Sequence, residues 1–345
     1  MQTIRLQFSR DHTQIIKGFA ILFMIVLHVF GGDGWYDADL PMNHNENLIA
    51  FMGTFKICVG MFVFMVGYGY AFSKKKDFWY SVNHVKRLLT TFWIVLLCFA
   101  LPVGYNAVGG GKLLIYNMIG INSSLCWVSW FVYFYIWAMI VMPFCSRLID
   151  RKPILWTSIL MIAVYIGMVA VHHFIPNFST NDWTQALFDC LLNTPLMLLG
   201  YLFAIKHWFE KISLPNHWFL VCGAVIIAGI VLIARALIPG PSEVVLRLLY
   251  APLMVLSILV IFNKCEVSFF KKIMIELGNK SVYMWFFHAL FFTECTRYFY
   301  QRSIMISNNL WIIAIWTIIL SYCCSWVIMM IMNKLTTYIS KIKSD

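Results

Sequence analysis

The chain has 345 residues, 61% of them hydrophobic and 12% charged, with a formal net charge of +11 and a mean hydropathy of +0.78. Too little polar surface is available to coat a water-soluble globule, which excludes a soluble enzyme or binding module and identifies a polytopic membrane protein. The positive charge requires no nucleic-acid partner, because membrane topology and attraction to anionic membrane lipids account for it.

Apolar runs long enough to cross roughly 30 Å of hydrocarbon occupy residues 13–30, 51–72, 87–104, 126–145, 154–173, 184–205, 217–238, 246–262, 280–297 and 308–333. The expected fold is all-α, with ten transmembrane helices in one integral membrane domain over residues 1–345. The first run reads as a retained span: no small-x-small cleavage site follows it between Gly31 and Asp39. Between the third and fourth runs, Lys112 to Ile121 is too short to span and is expected at the interface or re-entering. The ten cysteines are scattered, show no metal-ligand spacing and read as small apolar fillers, so no metal is expected.

Orientation follows from lysine and arginine. Twenty of the 26 fall in alternate segments: Arg5 to Lys17, Lys74 to Arg87, Arg147 to Lys152, Lys206 and Lys211, Lys264 to Lys280, and Lys334 to Lys343. The positive-inside rule makes those segments, and with them both termini, cytoplasmic. The intervening loop Gly31 to Ala50 carries Asp33, Asp37, Asp39 and Glu46 without lysine or arginine, and agrees. The expected location is the cell membrane, multi-pass.

Ionisable groups inside spans are costly and point to function. In the first run, Lys17 and His28 are 11 positions apart; at about 100° and 1.5 Å per residue they share one face within roughly 20°, some 16 Å apart. Near the opposite ends of other runs lie Lys56, Asp189, Asn193, Arg235, Arg247, Glu294 and Arg297, with Trp35, Trp127, Trp130 and Tyr133. Converging with Asp33, these would line a carbohydrate pocket; taken singly, aromatic belts and snorkelling cations need no ligand. Asp189 and Glu294 are harder to dismiss, because short carboxylate stems snorkel poorly. His172 and His173 look interfacial, and Lys74-Lys75-Lys76 fits the inside-positive signal better than a phosphate site.

Three segments carry a family resemblance. Arg10-Asp11-His12-Thr13-Gln14-Ile15-Ile16-Lys17 leading to His28 resembles the start of the acyltransferase-3 family of integral membrane O-acyltransferases, whose first helix has a basic residue, ten intervening residues and a histidine. Lys56 to Tyr68 is similar to its aromatic-rich stretch ending in Ser-Gly-Tyr, with Val66 replacing the serine. Leu277-Gly278-Asn279-Lys280-Ser281-Val282-Tyr283 followed by His288 is similar to its Gly-Asn-x-Ser motif with downstream Tyr and His. Lys17 stands where arginine is commoner, and a lysine cannot make the bidentate fork of a guanidinium.

The resemblance implies an acyl-CoA-dependent transferase of groups other than aminoacyl groups, most simply an O-acetyltransferase using acetyl-CoA as co-substrate. Its acceptor would be a hydroxyl of a glycan or lipid-linked saccharide at the cell surface or in export, with His28 as the base and Lys17 as its catalytic companion. Neutral imidazole suits the removal of a hydroxyl proton near pH 7, and a covalent acyl-imidazole is the other route. Lys56, Asp33, Trp130, Asp189, Glu294, Tyr283, Ser281 and His288 are the candidate substrate-binding residues. Ser281 and His288 are seven apart on one helical face, as expected of helix-helix hydrogen bonding, and His288 reads as structural or positioning rather than as a second base. The competing class is a secondary transporter or flippase that relays protons through His28 and Glu294, although no inverted repeat is visible to favour it. A scaffold subunit without catalysis is a third reading. Oligomeric state is not specified by any motif.

Overall fold

A computed structural model describes residues 3–31, 46–175, 180–215, 217–238, 242–264 and 268–342. The chain is helical almost throughout. Helix α1 spans Arg10–Val29, α2 Glu46–Gly53, α3 Ile57–Ala71, α4 Phe78–Val95, α5 Leu101–Gly104, α6 Gly111–Met118, α7 Trp130–Ile149, α8 Pro153–Phe174, α9 Asp182–Lys206, α10 Phe219–Leu237, α11 Ser242–Lys264, α12 Ser268–His288, α13 Glu294–Tyr300 and α14 Leu310–Ile342. A two-stranded antiparallel sheet, β1 (Thr3–Arg5) with β2 (Ser213–Pro215), ties the start of the chain beside the end of α9.

Among the described residues, nine helices are long and apolar enough to cross a membrane. They correspond to nine of the ten expected spans. The tenth, α12, is the correction: it begins at Ser268 and stops at His288, twelve residues earlier at its start than the apolar run beginning at 280. Hydropathy misplaces it because its first thirteen residues carry Lys271, Lys272, Glu276 and Lys280. Lys280 is therefore not a loop residue of the basic face. Its side chain is 3% exposed, donates to Glu276 Oε1 and lies 3.2 Å from the ring centroid of Trp326 on α14.

Local signals start the helices. Ser9 caps α1 in a reciprocal box, its Oγ accepting from the His12 backbone N–H while His12 Nδ1 accepts from the Ser9 N–H. Asp77 caps α4 and Asn181 caps α9 in the same sense. Burial separates centre from periphery: more than half of the apolar windows of α1, α3, α7, α9 and α11 is buried, against 6% for α8 and 11% for α10, which face outward.

Two parallel helix pairs form the centre, each closed by reciprocal glycine contacts. A Cβ on Gly18 of α1 would overlap the Met274 carbonyl oxygen of α12, and one on Gly278 would overlap the Gln14 carbonyl oxygen. Gly67 of α3 and Gly200 of α9 meet each other's backbones at Met197 and Phe64 in the same way. Small residues let membrane helices approach backbone to backbone, where dispersion and weak polar contacts hold them without a hydrophobic driving force. This explains the glycines of the Gly-Tyr and Gly-Asn-x-Ser motifs as packing residues. The face at which α1 begins is called the first face and the opposite one the second.

Candidate active site

His28 lies in the last turn of α1 and His288 ends α12, so the parallel pairing carries both imidazoles toward the second face. His28 Nδ1 is 2.8 Å from His288 Nε2, with the rings 4° from parallel. His288 Nδ1 is 3.1 Å from the Met284 carbonyl oxygen one turn back. A carbonyl only accepts, so Nδ1 of His288 carries its proton, and in the neutral ring Nε2 is the acceptor. His28 must then donate through Nδ1, which leaves the basic lone pair of His28 on Nε2. The tautomer of His28 is set by a partner 260 residues away, in the manner of the oriented base of a catalytic dyad.

The surroundings hold this pair rigidly. Exposure falls to 4% at His28 and 0% at His288. The Trp127 ring stands edge-on to His28 at 4.5 Å. Its backbone N–H donates to Thr293 Oγ1, whose own hydroxyl donates to the Ala289 carbonyl immediately after His288. The segment 117–129 is in turn stitched by fully buried Asn117, which donates to Asn122 and Ser124 and accepts from the Leu125 N–H. The stretch from Lys112 to Ile121, expected at the interface or re-entering, holds most of the short helix α6, which leads into this segment. One turn below the histidines, Trp285 packs against Phe131 at 4.3 Å and Phe62 at 4.7 Å. This aromatic floor escaped the sequence reading, although Trp285 stands three positions before His288, on the same helical face.

Lys17 is partly buried on α1, with Arg10 and Arg87 as its neighbouring cations. At the first face Lys76 is not an unattached cation: it donates to Asp150 at 3.1 Å and to the Tyr201 hydroxyl at 2.7 Å, while Tyr201 donates to Asp150. Lys74 and Lys75 are exposed.

The remaining candidates do not form one cluster. Asp33 and Trp35 lie outside the described residues. Lys56, Arg235 and Arg247 line a common pocket near the second face, and Asp189 is an electrostatic neighbour of Lys56 and Arg247. Trp130 packs edge-on to Phe131. Glu294 opens α13 and is exposed, which places it away from a buried relay with His28. Ser281 donates to the Gly278 carbonyl of its own helix rather than across to a neighbour, and Tyr283 is partly buried on the same helix. Among the described residues no group of three or more histidine, cysteine, aspartate or glutamate side chains converges to hold a metal ion.

The arrangement supplies an oriented base at the end of a basic-to-histidine stripe, inside a helical bundle. The acyltransferase-domain family matches residues 14–330, nearly the whole chain, including Lys17, His28 and His288. The chain belongs to this acyltransferase family. No curated protein and no solved structure matches it. As a member of the family it is a multi-pass membrane acyltransferase, and His28, His288 and the two glycine crossings all lie within the matched region.

Proposed function

We propose that the protein transfers an acyl group, most simply acetyl, from cytoplasmic acyl-CoA to a hydroxyl of a cell-surface or exported glycan or lipid-linked saccharide. The observation that carries this reading is the His28–His288–Met284 hydrogen-bond chain, which presents His28 Nε2 as a base. In the proposed reaction, Nε2 accepts the acceptor hydroxyl proton as the oxygen attacks the thioester carbonyl. The tetrahedral intermediate collapses with cleavage of the carbon–sulfur bond, and the proton held by His28 passes to the departing CoA thiolate. His288 accepts from His28 throughout and offsets the charge that develops on the imidazolium.

In this reading the first face is cytoplasmic and Arg10, Lys17 and Arg87 draw the phosphorylated end of the donor toward it, leaving the flexible arm to reach His28 along α1. The distance suits a narrow chain: from Lys17 to His28 is about 16 Å along the helix axis. The test is transfer of radiolabelled acetyl from acetyl-CoA to surface glycan by purified protein in proteoliposomes, alongside mass analysis of surface glycans from cells with and without the protein. His28→Ala should lower transfer by about 10² or more, the scale of a lost general base. Unchanged transfer in that variant would remove His28 from the chemistry.

A further inference from the structure

Three tryptophans of the bundle bond their indole N–H. Trp93 Nε1 donates to the Met118 carbonyl at 2.8 Å, Trp137 Nε1 to Thr194 Oγ1 at 3.0 Å and Trp316 Nε1 to the Ser303 carbonyl at 2.9 Å. Trp285 differs. Its side chain is buried on α12, and among the described residues no acceptor reaches its Nε1. An N–H taken out of water without an acceptor loses its solvation and gains nothing in return, so such a group is rare in a settled interior. The neighbouring rings do not replace the acceptor: Trp285 lies against Phe131 and Phe62 at interplanar angles of 41° and 37°, whereas an N–H aimed at a ring face calls for a donor ring close to edge-on.

Trp285 belongs to the same cluster as the histidines. His28 bonds to His288, Trp285 stands one turn before His288 on α12, and its ring packs on Phe131 of α7. Phe131 follows Trp127 by four positions, and the Trp127 ring returns to His28 at 4.5 Å. The five side chains close a circuit in which Trp285 sits about 4.5 Å nearer the first face than His288, measured along α12. Both nitrogens of His288 are engaged, one with His28 and the other with the Met284 carbonyl. His288 therefore has no N–H to offer a substrate, while Trp285 has one.

Transfer from a thioester to a hydroxyl calls for such a donor. As the hydroxyl oxygen bonds to the carbonyl carbon, the π electrons move onto the carbonyl oxygen, and a fixed donor in a site without water stabilises that charge far more than it does the neutral carbonyl. With the donor arm arriving from the first face, its thioester meets the level of Trp285 one turn before the histidines. Resting on the acyl-transfer reading above, we infer that Trp285 is a catalytic residue whose indole N–H donates to the oxyanion of the tetrahedral intermediate. The indole keeps its proton. The carbonyl re-forms as the carbon–sulfur bond breaks, and the thiolate takes its proton from His28.

The test replaces Trp285 with benzothienylalanine, which exchanges the N–H for sulfur and keeps the bicyclic shape, beside Trp285→Phe, in proteoliposomes supplied with acetyl-CoA and acceptor. The isosteric variant should lose about 10² or more in kcat, with the KM for acetyl-CoA and the thermal midpoint close to the parent's. A CoA thioether bearing a trifluoromethyl ketone, which hydrates to a tetrahedral centre, should bind the parent at least about tenfold more tightly than the isosteric variant. S-ethyl-CoA, which has no carbonyl, should bind both alike. Should the Phe variant misfold, the isosteric one decides. Parental kcat in the isosteric variant overturns the inference, and so does equal affinity of parent and variant for the ketone. A kcat loss matched by a lowered thermal midpoint overturns it too, because packing then accounts for the loss. His28→Ala in the same assay tests the underlying reading: transfer that is lost there but kept in the isosteric variant removes Trp285 alone, and transfer unchanged in His28→Ala removes the reading.

Discussion

Gly18 and His28 are ten residues apart on α1, and Gly278 and His288 are ten residues apart on α12. Both helices thus travel the same distance, about 15 Å, from the point where their backbones touch to the point where their imidazoles bond. The crossing fixes the register, and the register places Nδ1 of one ring 2.8 Å from Nε2 of the other. A packing feature in the middle of the bundle thereby sets the proton arrangement of the histidine pair near the second face.

His288 is expected to act through His28. Replacing it with Phe strands a buried N–H donor, at a cost of about 1–3 kcal/mol, and frees the imidazole to rotate. Acyl transfer should fall roughly 10- to 100-fold by that measure. His288→Gln, whose Oε1 is able to accept from His28, should recover a large part of it. The double variant His28→Ala/His288→Phe should be no slower than His28→Ala alone, because the second histidine has nothing left to position. Full activity in the Phe variant, or additive losses, would disprove the positioning role.

The sequence made the first stripe legible because Lys17 and His28 share one helix, where an 11-residue interval translates directly into a common face. Nine of the ten expected spans were legible from apolar length, which needs no tertiary information. The pairing of His28 with His288 was not: it depends on a helix crossing between segments 260 residues apart, and glycine spacing alone does not say which helix it meets. The limits of α12 were misplaced because a buried Lys280 paired with Glu276 and covering an aromatic ring looks, in hydropathy, like a loop. The second-face polar residues were identified individually, but helix-end position says nothing about azimuth, and Lys56, Arg235 and Arg247 gather without Trp130 or Glu294.

Lys17 gives a charge test. Should its cation draw the donor to the first face, Lys17→Arg keeps most of the activity and Lys17→Met, which approximates the stem without the charge, raises the KM for acetyl-CoA. With Arg5 and Arg10 retained, the methionine variant should still insert normally. Turnover at matched membrane expression decides the matter. A methionine variant with unchanged KM and kcat would leave Lys17 as a snorkelling residue.

The glycine crossing makes a prediction about activity at a distance. Gly278→Ala must push α12 from α1, an overpacking cost of about 1–3 kcal/mol, and should lower both the thermal midpoint and acyl transfer, since an ångström of misalignment at a catalytic group costs up to about 10². Gly223→Ala on peripheral α10, where a Cβ meets nothing within 4 Å, is the control and should leave both unchanged. Equal behaviour of the two variants would show that the crossing does not govern the histidine register.

Lys280 and Glu276 should respond unequally to neutralisation, because their surroundings differ. The lysine side chain is 3% exposed and the glutamate side chain 42%. Lys280 Nζ has three partners, the Glu276 carboxylate and the faces of Trp326 and Tyr322, and the Tyr322 hydroxyl also donates to Glu276 Oε1. Lys280→Met removes the buried charge and leaves a carboxylate that water already reaches, so the loss is limited to the cation–π contacts and one hydrogen bond, on the order of 1–2 kcal/mol. Glu276→Gln instead leaves an ammonium group inside the bundle without its counter-charge, and breaking a buried pair from that side costs about 3–5 kcal/mol. The thermal midpoint in detergent should therefore fall further for Glu276→Gln than for Lys280→Met, and the double variant should lie close to Lys280→Met. The opposite order would mean that water reaches Lys280 and that Trp326 does not hold it.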